Sequence, residues 1–195
     1  MTVKFGLLGA GRIGKVHAKA ITSNPDARLV AVADAVQSAA EDIVAGYGCE
    51  IRTIDEIERA VDIDAVVIST HDPIHAAACI GAMESGKHVY CEKPLTRYLD
   101  EAFAVYDVAK KTGKVVQVGS QGCSAAAWHK AAELIKAGRI GQLVWAQGYY
   151  CRNNPKGEWN YDIQADATPE TLDWEKWLGP VKKRVPFDRD HYFRW

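Results

Sequence analysis

The chain has 195 residues, 48% hydrophobic and 25% charged, a balance ordinary for a globular protein and long enough for one full domain plus a smaller piece. A formal net charge of −1 leaves no basic footprint for nucleic acid and no cationic face for a membrane surface. The first residues reach their glycines too soon to hold a signal-peptide core, and no apolar run approaches membrane-spanning length. The five cysteines (Cys49, Cys79, Cys91, Cys123, Cys151) are odd in number and form no C-x-x-C pair. That usage points to reduced thiols and a cytoplasmic location.

In chain order, the apolar run Val3–Leu8 leads into Gly9-x-Gly11-x-x-Gly14, and a helical stretch follows to Ser23. Strand, glycines and helix in that order are the context in which this pattern binds a dinucleotide. Gly9 permits the turn, Gly11 clears the backbone for a pyrophosphate, and Gly14 lets helix and strand pack closely. Unpaired amides at the helix start offer positive charge to the phosphates. A second buried strand, Leu29–Ala33, ends at Asp34, 20 positions beyond Gly14, where the fingerprint places an acid for the adenosine ribose hydroxyls. A carboxylate about 4 Å from a 2′-phosphate would cost roughly 1–4 kcal/mol per charge pair. Ala35, Val36 and Gln37 supply no cation to offset it, so NAD is favoured over NADP.

Further strands are expected at Ala65–Ser69, His88–Cys91 and Val115–Val118. Helices are expected at Gln37–Tyr47, Ile54–Ala60, Ile74–Ser85 and Arg97–Thr112, with stops at Gly86 and Gly113. Strands alternating with single helices give an α/β fold, a Rossmann-type doubly wound parallel sheet, over residues 1–123. From Ser124 the texture changes. A helix at Ala125–Ala137, a strand at Gln142–Tyr150 and a long aromatic stretch with Trp159, Trp174, Trp177 and Trp195 read as the start of an α+β second domain, residues 124–195, whose remainder is absent.

In such sheets ligands bind at the carboxyl ends of the strands, which singles out Ser69-Thr70-His71-Asp72-Pro73-Ile74-His75 and Tyr90-Cys91-Glu92-Lys93-Pro94. His71, His75 and Cys79 share an i, i+4, i+8 spacing, but a closed zinc site needs a fourth ligand, so no metal is expected and His75 reads as hydrogen-bonded near the cleft. Cys123 has no basic neighbour to activate it and reads as inert. Tyr149, Arg152, Asn153 and Trp159 are candidate pocket residues that aromatic packing explains equally well.

The glycine triplet, Asp34, the strand-end Thr70 with His75 five residues on, and Glu92-Lys93-Pro94 together resemble the Gfo/Idh/MocA oxidoreductases. The likeness continues through Gln117-Val118-Gly119-Ser120-Gln121, Gly138-Arg139-Ile140-Gly141 and Leu172-Asp173-Trp174-x-x-Trp177-Leu178-Gly179-Pro180. Up to about Thr70 the chain looks like bacterial myo-inositol 2-dehydrogenases, and from His71 more like sugar oxidoreductases of the wider family. The resemblance implies hydride transfer between a sugar or cyclitol carbinol carbon and a nicotinamide. Lys93 would then hydrogen-bond the reacting hydroxyl and favour its deprotonation. Glu92 would sit by the nicotinamide end, and Pro94 would fix the turn, in cis in some members.

The cofactor residues implied are Gly9, Gly11, Arg12, Ile13, Gly14, Asp34, Thr70, His75, Glu92, Lys93, Pro94 and Gln121. His71 stands where relatives usually carry proline, and Gly122-Cys123 where they often carry arginine. The family's general-base histidine lies in a later G-x-x-x-D-x-x-x-H segment. The sequence stops at Trp195 before such a segment, and His191 lacks the spacing. A missing general base would remove about 10²–10⁴ in rate. Two readings follow: an NAD-dependent polyol or sugar dehydrogenase, or a nucleotide-binding module without turnover. Relatives pair through their second domain, so a homo-oligomer is an expectation.

Overall fold

The computed structural model describes residues 2–149, 163, 165–180 and 182–194. Alternating side chains decide its layering. Along β1 (Val3–Leu8), β2 (Ala27–Ala33) and β4 (Ala65–Ile68), successive residues turn to opposite faces of the sheet. Leu7, Val32 and Val67 therefore join one buried cluster with Ala18 and Ile21 of α1 (Arg12–Thr22) and Ala40 and Ile43 of α2 (Gln37–Tyr47). Leu8, Ala31, Val66 and Ile68 join the other, with Ile57 of α3 (Ile54–Arg59), Cys79 and Met83 of α4 (His75–Glu84) and Val105 of α5 (Leu99–Thr112). A sheet apolar on both faces must be covered on both, and the crossover helices do this.

With β3 (Glu50–Ile51), β5 (His88–Glu92) and β6 (Val116–Gly119), the strands form a six-stranded sheet in the order β3-β2-β1-β4-β5-β6, and every pairing is parallel. This is the Rossmann arrangement expected from the sequence. The order reverses between β1 and β4, which leaves a crevice at their carboxyl ends. The expected elements stand within a few residues of their anticipated limits. The two-residue β3 was not anticipated, because Glu50-Ile51 carries no apolar alternation and is defined only by its pairing with Ala31 and Val32.

One difference concerns the later chain. Residues 142–149 form no strand, although the apolar run Gln142–Tyr150 reads as one. A strand exists only beside a hydrogen-bonded partner, and among the described residues none lies beside this segment, where Val144 is 81% exposed. The chain separates into two compact units, Met1–Ala137, which includes α6 (Ala126–Lys136), and Gly138–Trp195. Within the second unit, α7 (Trp174–Leu178) is capped by Asp173, whose Oδ1 accepts the Lys176 amide at 3.0 Å. Trp174 stacks on Trp177 at 4.5 Å between ring centroids and donates its indole N–H to the Val185 carbonyl at 2.8 Å. The unit also contains α8 (Arg189–Arg194). Among the described residues no helix is long and apolar enough to cross a membrane.

One packing contact carries a pH signature. Glu58 of α3 lies against Gly81 of α4, where an added β-carbon would stand 2.7 Å from Glu58 Oε2. Burial pushes the Glu58 carboxyl above its ordinary range, and the nearby Asp55 charge adds to the shift. A carboxyl raised on folding contributes stability that is complete below the ordinary carboxylate range and is lost as pH rises through the raised value. Glu58→Gln should therefore melt above the wild type at about pH 8, and the two should converge near about pH 4, as read by circular dichroism.

Candidate functional site

The glycine loop is shaped first by the protein's own atoms. Gly9, at φ +96°, adopts a backbone that side chains disfavour, and a β-carbon there would lie 2.6 Å from the Ser69 carbonyl oxygen. Gly14 sits on the first turn of α1, where a β-carbon would fall 2.0 Å from the Gly9 carbonyl oxygen. Only hydrogen fits. The Ser69 hydroxyl lies 3.1 Å from the Leu8 carbonyl and 3.0 Å from the Gly9 carbonyl, which ties the end of β4 to the loop.

Gly11 differs, because a β-carbon on it would meet no protein atom within 4 Å. Its lack of a side chain is not demanded by the fold and instead leaves a clear approach to the backbone. Gly11 is also the N-cap of α1, and the cap makes no side-chain hydrogen bond, so the helix's positive end is left to the crevice.

Asp34 closes β2 beside this loop. Its Oδ2 accepts the Ala10 amide at 2.6 Å and its Oδ1 the Val36 amide at 2.7 Å. Each oxygen keeps further lone-pair capacity. Gly9, Gly11, Asp34 and Thr70 line a cavity of about 610 Å³, whose walls also include the apolar Val36, Ile51, Ile54 and Ile74 and the polar Arg52 and Glu56. The Arg52 guanidinium is a two-pronged partner of Asp62, with both N···O distances 2.9 Å, and its Nε donates to Glu50 at 3.0 Å. Those hydrogen bonds push Arg52 up and hold the Asp62 carboxyl below its ordinary range. The cation beside the cavity is already matched.

The turn after β5 forms the second part. The Lys93–Pro94 peptide is cis. His75, only 2% exposed, places Nδ1 at 2.7 Å from the Pro94 carbonyl and Nε2 at 3.1 Å from the Thr70 carbonyl. The ring thus lies between the loop after β4 and the turn after β5, and its N–H donates to one of the two carbonyls, according to the tautomer. Glu92 Oε1 lies 2.9 Å from His17 Nε2, while Oε2 accepts the Lys93 amide at 3.1 Å. The Lys93 side chain is exposed and makes no ion pair among the described residues. With Gln121 it lines a separate cavity of about 620 Å³, completed by Gly119, Ser120, Gly122, Cys123 and Trp128.

Gly9, Gly11, Asp34 and Thr70 thus gather at one cavity and Lys93 and Gln121 at another. Arg12, Ile13 and Gly14 open α1, while His75, Glu92 and Pro94 knit the strand ends together. Among the described residues no three His, Cys, Asp or Glu side chains form a metal-holding group. Cys49, Cys79 and Cys91 are buried free thiols and Cys123 an exposed one. Hydrogen bonding to Cys79, together with burial, pushes the Cys91 thiol up, away from nucleophilic reactivity. Tyr149 is 87% exposed, and Arg152, Asn153 and Trp159 lie outside the described residues. Sequence reasoning placed Ser69 at the ligand-facing end of a strand but gave it no role, and it missed Arg52 and His17, for which local pattern carried no signal.

A family model described as "Oxidoreductase family, NAD-binding Rossmann fold" (GFO_IDH_MocA) matches residues 3–120. The chain belongs to this family. The Inositol 2-dehydrogenase of Rhizobium meliloti (strain 1021) is 50% identical over 143 residues, 73% of this chain and 43% of that protein. The scyllo-inositol 2-dehydrogenase (NAD(+)) of Bacillus subtilis (strain 168) is 39% identical over 150 residues, 75% of this chain and 44% of its own. Among solved structures, scyllo-inositol dehydrogenase from Lactobacillus casei with bound cofactor NAD(H) and scyllo-inositol superposes with a TM-score of 0.68 at 28% identity, over 72% of this chain and 43% of that one. The chain therefore spans less than half the length of these relatives. An alignment of 143 residues also carries the likeness to an inositol dehydrogenase well past Thr70, where the sequence alone suggested a change.

The contrast between Gly14 and Gly11 is measurable. Gly14→Ala should destabilise the fold by about 1–3 kcal/mol through overpacking. Gly11→Ala should stay within about 1 kcal/mol of wild type, since alanine is only a poorer N-cap. Urea melts of the two variants give the comparison.

Proposed function

We propose that the chain provides the cofactor-binding part of an NAD-dependent oxidoreductase acting on the hydroxyl of a cyclitol or sugar. The observation that carries this reading is the open face of Gly11 at the head of α1, beside a carboxylate anchored at the end of β2. A diphosphate fits that place because the backbone is bare and the helix end is positive. Asp34, with lone pairs to spare, would accept the adenosine ribose hydroxyls, and the apolar Val36, Ile51 and Ile54 would border the base. NAD is preferred to NADP because a 2′-phosphate would meet the Asp34 charge while Arg52 is already held by Asp62 and Glu50.

Bound there, NAD would accept or return the hydride. Lys93 carries an unmatched cation into the second cavity, where it would hydrogen-bond the reacting hydroxyl and stabilise the developing alkoxide. Thr70 and Gln121 border the two cavities and would contact the cofactor's middle and nicotinamide end. Inositol is the first substrate to test, because the curated relatives carry inositol in their names.

Isothermal titration should show NAD⁺ binding about tenfold or more tighter than NADP⁺, with Asp34→Asn narrowing the gap. Gly11→Ala should weaken NAD⁺ while leaving folding near wild type. Tighter NADP⁺ binding would overturn the Asp34 argument. NADH formation with myo- or scyllo-inositol should fall by about 10²-fold or more in Lys93→Ala. Cofactor binding with no NADH formation in the unmodified chain would assign it to nucleotide binding without turnover.

A further inference from the structure

His17 is a polar residue of α1 that neither the glycine fingerprint nor the proposed chemistry uses. Its ring leaves the helix on the side facing the end of β5, where Nε2 lies 2.9 Å from Glu92 Oε1. The pair is mostly enclosed, with side-chain exposures of 16% for His17 and 13% for Glu92. A carboxylate only accepts, so Nε2 is the donor. Tyr90, two residues back on β5, meets the imidazole edge-on at 5.2 Å between ring centroids, which limits how the ring can turn.

The other side of the Glu92 carboxyl is equally confined. Oε2 accepts the Lys93 amide at 3.1 Å. A β-carbon on Gly119, at the end of β6, would stand 3.1 Å from Glu92 Cα, Cδ and Oε1 alike, so glycine makes room for the carboxyl. Three elements therefore converge on one carboxylate: α1 through His17, the turn after β5 through the Lys93 amide, and β6 through the bare Gly119. Helix α1 begins at the glycine loop, and the Lys93 turn borders the second cavity. No ladder hydrogen bond joins them, because β4 lies between β1 and β5 in the sheet.

We propose that His17 is a positioning residue that, through the Glu92 carboxylate, sets the helix carrying the glycine loop against the turn carrying Lys93. The inference rests on the cofactor reading above, in which the loop holds the diphosphate and the Lys93 turn meets the nicotinamide end. A dinucleotide spans both ends only if the distance between them is held, and the clasp holds it. Loss of the clasp leaves the adenine half of the site intact and loosens the nicotinamide half. An imidazole that merely filled space would show no such division.

The test is isothermal titration of the whole chain with NAD⁺ and with ADP-ribose, which lacks the nicotinamide, for wild type, His17→Leu and His17→Gln. The ratio of the two affinities is the readout. In His17→Leu, ADP-ribose affinity should stay within about twofold of wild type while NAD⁺ affinity falls about tenfold, the size of coupling expected from a residue touching neither ligand. His17→Gln retains an N–H donor and should recover most of the ratio. An unchanged ratio in His17→Leu, including an equal loss for both ligands, overturns the proposal and leaves the cofactor reading standing. A wild-type chain that binds neither ligand overturns both. If His17→Leu fails to fold, His17→Phe, which keeps a ring but lacks the N–H, decides: a ratio shifted about tenfold with intact folding supports the clasp, and a wild-type ratio overturns it.

Discussion

Everything in the first unit follows from how closely α1 approaches β1. At Gly14 the helix stands so near the loop that a β-carbon would lie 2.0 Å from the Gly9 carbonyl oxygen. That approach brings the positive end of the helix to the carboxyl end of the sheet, at the point where strand order reverses. It also brings the far side of the same helix within reach of β5. A larger residue at this one position would push the helix away from both partners.

The crevice is assembled by polar side chains that hold backbone, and few of them are left for a ligand. Asp34 gathers two amides, Ser69 lies within reach of two carbonyls, His75 donates to one of two facing carbonyls, and Glu92 takes an amide and an imidazole. A buried polar group left unpaired costs about 1–3 kcal/mol, so each pairing resists a change in the spacing of the strand ends. The rigidity comes from side chains because the loops after parallel strands have no ladder of their own. What faces the cavities includes the bare backbone at Gly11, the spare lone pairs of Asp34 and the cation of Lys93.

Charge is distributed in a way that suits this economy. Arg52, beside the first cavity, is matched by Asp62 and Glu50, whereas Lys93, beside the second, has no ionic partner among the described residues. The matched cation leaves the Asp34 end acceptor-rich, and the unmatched one leaves a donor at the Lys93 end. The two ends lie on opposite sides of the central strands β1 and β4.

Much of this was legible in the residues themselves. Apolar strands spaced by single helices implied a parallel doubly wound sheet, since such strands close only through right-handed crossovers with both faces covered. The Gly9, Gly11 and Gly14 spacing and the acid at Asp34 marked the loop because backbone geometry there is local. The two-residue β3 and the absence of a strand over 142–149 were not legible, because each depends on which neighbour is present rather than on its own sequence. The partnership of His17 with Glu92, 75 residues apart, was likewise hidden, as was the placement of the His75 ring between the Pro94 and Thr70 carbonyls. Local pattern determined the elements and the glycine loop. Only tertiary packing decided which polar groups are consumed in holding the site and which remain to meet a ligand, because a hydrogen bond between distant segments leaves no periodic trace in either one.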